Sequence, residues 1–73
     1  MGLKDLLRGV DLSKDQRIDW DENKNPIYIG IADKGSLTSA DVWVMTKITW
    51  DENKNPILIE AAKGIWDSRS EAF

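Results

Sequence analysis

Cysteine and histidine are both missing from these 73 residues. Without cysteine there can be no disulfide and no thiolate metal site. Without histidine the commonest general base and the commonest transition-metal ligand are gone. No cluster of lysine and arginine appears, and the formal charge is −3. Nucleic acid recognition needs cations gathered on one face, so it is not expected. No apolar run approaches the ~20 residues of a membrane-spanning helix, and there is no signal-peptide core. Gly2 stands where a myristoylation signal has its glycine, but Leu6 occupies the place that wants Ser or Thr, so no lipid anchor is expected.

Size narrows the classes further. A domain this short buries only about 60% of its unfolded surface, and such cores rarely supply more than ~3–5 kcal/mol. With disulfides and metals excluded as staples, association with itself or with a larger assembly is the one left. Four tryptophans among six aromatics are a heavy load for the length. The plain reading is that they help a small core reach adequate burial; the sharper one is a ligand-stacking platform.

What the chain has in abundance is a repeat. Trp20-Asp21-Glu22-Asn23-Lys24-Asn25-Pro26-Ile27 recurs as Trp50-Asp51-Glu52-Asn53-Lys54-Asn55-Pro56-Ile57. Ile18, Ile29 and Ala32 match Ile48, Ile59 and Ala62 at the same offset, so two units cover Gln16–Ala32 and Thr46–Ala62. Each has the grammar of a β-hairpin. Ile27, Ile29 and Ile31 alternate with Tyr28, Gly30 and Ala32, the period-2 pattern of a strand. In the second unit Val42, Val44, Ile48 and Trp50 share one parity, and Trp43, Met45, Lys47 and Thr49 the other. Both faces are thus partly apolar, and the second wants a cover from another element or another chain.

Between the strands, Asp-Glu-Asn-Lys-Asn is dense in turn formers, and Pro26 and Pro56 can only begin a strand or lie on an edge. The expected connection is a short type I-based loop with Asn23 or Lys24, and Asn53 or Lys54, at positive φ. Gly30 marks a bulge or a close backbone approach where the second unit has Glu60. The Asp21-x-Asn23-x-Asn25 spacing also matches the start of a calcium loop. The sixth and twelfth positions, however, are Pro26 and Ala32 instead of glycine and glutamate, so the turn reading is preferred. Neither metal nor cofactor is expected.

The flanks are simpler. Leu3, Leu6, Leu7 and Val10 fall at i, i+3, i+4 and i+7, predicting a two-turn amphipathic helix that must dock on something to persist. Ser13 with Gln16 has capping-box spacing, as does Ser68 with Glu71, which predicts a helical turn from Asp67. The fold class is therefore mainly β. The expectation is a small antiparallel sheet or sandwich of two duplicated hairpins (15–73), preceded by an amphipathic arm (1–14) and closed by a helical turn. Without His or Cys, catalysis would fall to a carboxylate, a lysine, Tyr28 or a hydroxyl, and the carboxylates are Asp19, Asp21, Glu22, Asp51, Glu52, Asp67 and Glu71. Most of these belong to turns, where solvation leaves them ordinary. No enzyme is expected.

Several weak signatures occur in a familiar order. Tyr28-x-Gly30-x-Ala32, Gly35-x-x-Thr38-Ser39, Trp43, Ile48, the Asp51–Asn55 turn and Trp66-Asp67-Ser68-Arg69 resemble small virion proteins of tailed bacteriophages. Lys34, Lys54 and Val44 depart from that pattern, which has proline, a turn glycine and often arginine there. The Ala62–Ile65 loop is also shorter. The resemblance implies a structural or accessory particle component, made in the host cytoplasm and carried in the virion, whose partners are itself and other virion proteins. The expected contact residues are Leu3, Leu6, Leu7, Val10, Trp43, Met45 and Phe73, in a homo-oligomer. Two alternatives stay open: a glycan-binding module with Trp20 and Trp50 as its platform, and a phage-encoded inhibitor of a host protein.

Overall fold

The two copies of Asp-Glu-Asn-Lys-Asn close in the same way because aspartate can accept from the backbone ahead of it. In the computed structural model, which describes residues 12–73, Asp21 Oδ1 accepts from the N–H groups of Asn23 (2.8 Å) and Asn25 (2.9 Å). Asp51 Oδ1 does the same with Asn53 and Asn55, both at 2.9 Å. The N–H of Asp21 then donates to the Asn25 carbonyl, and that of Asp51 to the Asn55 carbonyl, both at 2.9 Å. Lys24 and Lys54 each take φ 64°. A left-handed conformation strains any residue with a Cβ. Lys24→Gly and Lys54→Gly should therefore each raise stability by up to about 1 kcal/mol in urea titrations; a loss from both would mean that the lysine side chains support the turns.

These turns join β1 (Lys14–Trp20) to β2 (Pro26–Asp33) and β3 (Asp41–Trp50) to β4 (Pro56–Ile65). The strands form one open antiparallel sheet in the order β1-β2-β3-β4, so of sheet and sandwich the chain adopts the sheet. β1 begins at Lys14, so the further helical turn expected around Ser13 and Gln16 is replaced by strand. Trp20 pairs with Pro26 while Asp19 pairs with Tyr28, which leaves Ile27 as the extra residue of a bulge. Ile57 occupies the same place in the second hairpin, between Trp50↔Pro56 and Thr49↔Leu58.

Opposed residues of an antiparallel pair share a face. The register Tyr28↔Lys47, Gly30↔Met45 and Met45↔Ala62 therefore places Tyr28, Gly30, Ala32, Trp43, Met45 and Ala62 on one side. After β4 a 3₁₀ segment, Trp66–Ala72, crosses that side. Gly30 is where it comes closest: a Cβ there would lie 2.6 Å from Trp66 Cε3 and 3.2 Å from Trp43 Cε3. Of the two readings of Gly30, the close approach is realised, while the bulge sits at Ile27. Ala32, Trp43, Met45 and Trp66 form the buried core, flanked by Tyr28 and Phe73. The 3₁₀ segment kinks at Ser68 and has no side-chain cap, so the expected Ser68–Glu71 box does not form.

The loop between the hairpins is tied to this core as well. The Trp43 indole donates to the Leu37 carbonyl (3.0 Å), and the Asp67 N–H donates to the Thr38 carbonyl (3.0 Å).

Candidate interaction surface

The reverse of the sheet follows from the same alternation. Ile18↔Ile29 and Ile48↔Ile59 are opposed pairs at equivalent places in the two hairpins, and Ile31↔Val44 lies between them. All six side chains point away from the 3₁₀ segment. Among the described residues no element covers them. Val44 is 56% exposed and Ile59 67%, whereas Trp43 and Met45 on the opposite face are fully buried. Lys14, Asp33 and Lys63 edge one end of this apolar field, with an ion pair between Lys14 and Asp33.

Arg69 lies on the covered face and ties the 3₁₀ segment to β1 and β2. Its guanidinium reaches Asp19 Oδ2 at 2.6 Å, donates to the Trp66 carbonyl at 3.1 Å, and sits 4.6 Å from the Trp66 ring and 5.5 Å from that of Tyr28. Planar cations suit such double duty. Among the described residues no group of three or more acidic side chains is placed to hold a metal ion. No helix of the described residues is long and apolar enough to cross a membrane.

Asp51 departs from the ordinary behaviour expected of a solvated turn carboxylate. Its carboxyl is held below the usual aspartate value, first by the Asn55 N–H, then by the Asn53 N–H and the Asn55 amide, against an opposing desolvation. A depressed folded-state value means that this group adds stability above about pH 4, and that the contribution is lost as pH falls through the folded value. Asp51→Asn should flatten that part of an acid unfolding profile. Parallel profiles for the two proteins would remove Asp51 from the account.

The residues singled out in the sequence separate into three groups. Trp43 and Met45, expected at a contact between chains, are instead the centre of the chain's own core, since Trp66 supplies the cover that the parity pattern required. Phe73 packs on Tyr28, ring centroids 5.9 Å apart, and is half-buried. Leu3, Leu6, Leu7 and Val10 lie outside the described residues. Of the two platform candidates, Trp50 is half-buried and its indole donates to the Pro26 carbonyl at 2.8 Å, while Trp20 is 54% exposed. Trp20 is therefore the one freely exposed ring of that pair. The isoleucines and valines of the uncovered face were visible in the sequence as strand residues, but not as a bare surface.

Compared with known protein families, curated proteins and solved structures, the chain matches none of them.

Proposed function

We propose that this protein is a non-catalytic assembly component that works through protein–protein contacts, as a structural or accessory part of a particle of the tailed-phage kind its sequence resembles. One observation carries the reading: the face built from Ile18, Ile29, Ile31, Val44, Ile48 and Ile59, which no element among the described residues covers. Burying a side chain of that size contributes ~1.5–3 kcal/mol, and large contiguous apolar patches on soluble chains mark interaction sites. Among the described residues the buried core is Ala32, Trp43, Met45 and Trp66, so association adds stability where this part of the chain has little. The partners are further copies and other particle proteins. The amphipathic stripe Leu3, Leu6, Leu7 and Val10 is a second contact element.

Light scattering after size exclusion should give a mass above that of one chain. Leu6→Asp combined with Leu7→Asp should lower that mass while the far-UV β signal persists, and a tagged chain should travel with assembled particles on a density gradient. A wild-type monomer that stays clear of particles, with a double variant that simply unfolds, would mean that the arm covers its own sheet and that the assembly reading is wrong.

A further inference from the structure

The duplicated sequence makes one prior statement about geometry: whatever joins the first hairpin to the second can also join the second hairpin to the first hairpin of another copy. Inside the chain that joint is β2 against β3, with Tyr28↔Lys47, Ile29↔Thr46, Gly30↔Met45 and Ile31↔Val44. It is closed by the Trp50 indole donating to the Pro26 carbonyl at 2.8 Å. Moving β2 forward and β3 backward by the repeat, the distance from Trp20 to Trp50, converts the joint into β4 against β1. Those are the two edge strands of the sheet.

We infer that the chain self-associates head to tail, the β4 edge of one copy pairing antiparallel with the β1 edge of the next. The opposed residues are Leu58 with Arg17, Ile59 with Gln16, Glu60 with Asp15 and Ala61 with Lys14. The Trp20 indole of one copy donates to the Pro56 carbonyl of its neighbour.

Exposure supports this. Residues of identical type are half-buried at the inner joint and bare at the outer edges. Ile27, Ile29, Ile48 and Trp50 are half-buried, whereas Ile57 is 63% exposed, Ile59 67%, Ile18 42% and Trp20 54%. Trp20 makes no indole hydrogen bond among the described residues, although its counterpart does. Open edges invite strand pairing unless charge, proline or a covering element intervenes: Pro56 shields only the start of β4, while β1 carries Lys14, Asp15, Arg17 and Asp19, so its apolar part is the Ile18 and Trp20 end. The parity is also correct. β1 and β3 carry odd-numbered residues on the covered face, and β2 and β4 even-numbered ones, so the transposed pairing keeps the same face up in every copy. The uncovered isoleucines then run on from copy to copy as one surface. One feature of the joint opposes it: Asp15 and Glu60 face each other with like charge. Arg17, diagonal to Glu60, offsets this, and the joint should be reversible. Because the contact is heterologous, each added copy leaves an open edge, giving a ring if the rotation closes and a filament if it does not.

This inference rests on the assembly reading and gives it a specific geometry. The natural chain has no cysteine, so single thiols report cleanly. Gln16→Cys and Ile59→Cys sit on opposite edge strands of one sheet, three strand spacings or ~14 Å apart across it and further still along it, because Gln16 lies in register with Lys63. That exceeds the ~7 Å Cα limit for a disulfide, so any bond links two chains. On mild oxidation, a mixture of the two single variants should give a linked pair containing one of each. Neither alone should link efficiently, and the double variant should give a covalent ladder. Trp20→Phe, which keeps a ring but loses the donor, should raise the concentration for half-assembly ~2- to 10-fold with its β signal intact.

Efficient self-linking of either single variant, or assembly unaffected by Trp20→Phe and without mixed pairs, would overturn the edge joint while leaving assembly itself standing. A chain that stays monomeric yet travels with particles would overturn the edge joint too. A monomer that ignores particles would remove both readings.

Discussion

Trp66→Ala should leave much of the protein unfolded in water at room temperature. The indole is only 7% exposed, and its ring centroid stands 6.0 Å from that of Trp43 in a tilted arrangement. It also fills the space above Gly30 and carries Arg69 on its outer side. Removing a buried tryptophan costs ~3–5 kcal/mol, because the transfer energy is lost and a cavity remains. A domain of this size has a total of about the same magnitude to lose. No compensating collapse is available, since the 3₁₀ segment is held by Asp67 to the Thr38 carbonyl and by Arg69 to Asp19, which keeps it suspended over the vacated space. The check is a urea titration followed by far-UV signal at a concentration where the wild type is dissociated. Trp20→Ala serves as the control, and should change monomer stability by about 0.5 kcal/mol or less because that ring is largely exposed. If Trp66→Ala costs no more than the control, the core does not lie between the 3₁₀ segment and the sheet.

How much of this could be read in advance differs between the hairpins and their cover. The hairpins were legible because their cause is local. Asp21 and Asp51 bond to N–H groups two and four residues ahead, so five residues contain the whole turn, down to the left-handed lysine. Alternation likewise fixed which residues share a face, but parity cannot say which face is covered. Trp43 and Met45 were therefore expected at a contact between chains when they are buried within one. The decision belongs to Trp66, more than twenty residues away, in a stretch whose local pattern shows only a capping-box spacing that does not form. Glycine permits either a bulge or a close approach, and the local pattern at Gly30 does not choose between them; the close approach is the one that occurs there. The bulges arise at turn closure, which pairs Trp20 with Pro26 and Trp50 with Pro56, and this strands Ile27 and Ile57. The uncovered face escaped the sequence for the complementary reason. A surface is bare only by virtue of where every other element went, and no spacing records that.

Gly30→Ala should be the most damaging single-methyl addition to the covered face, at about 2 kcal/mol. Two effects compete. Alanine restricts the unfolded chain and would by itself stabilise by ~0.4–1 kcal/mol. Against this, the new Cβ would lie 2.6 Å from Trp66 Cε3 and 2.7 Å from Cζ3, with Trp43 Cε3 at 3.2 Å. Flexible side-chain ends can yield to such an intrusion, but here the nearest atoms belong to rigid indoles that pack on each other, and the outer one is backed by Arg69. Overpacking of that kind typically costs ~1–3 kcal/mol, and the absence of a yielding atom favours the upper part of that range over the entropic gain. The second hairpin has Glu60 at the equivalent place, half-buried and opposite Lys47. The duplication thus kept its strands but needed glycine in only one of them. Coupling gives the sharper test. In a Trp66→Leu background the offending ring atoms are gone, so Gly30→Ala should cost little or become favourable, and the two substitutions should be non-additive. Equal costs for Gly30→Ala in both backgrounds would mean that glycine is required there by the strand itself and not by the tryptophan above it.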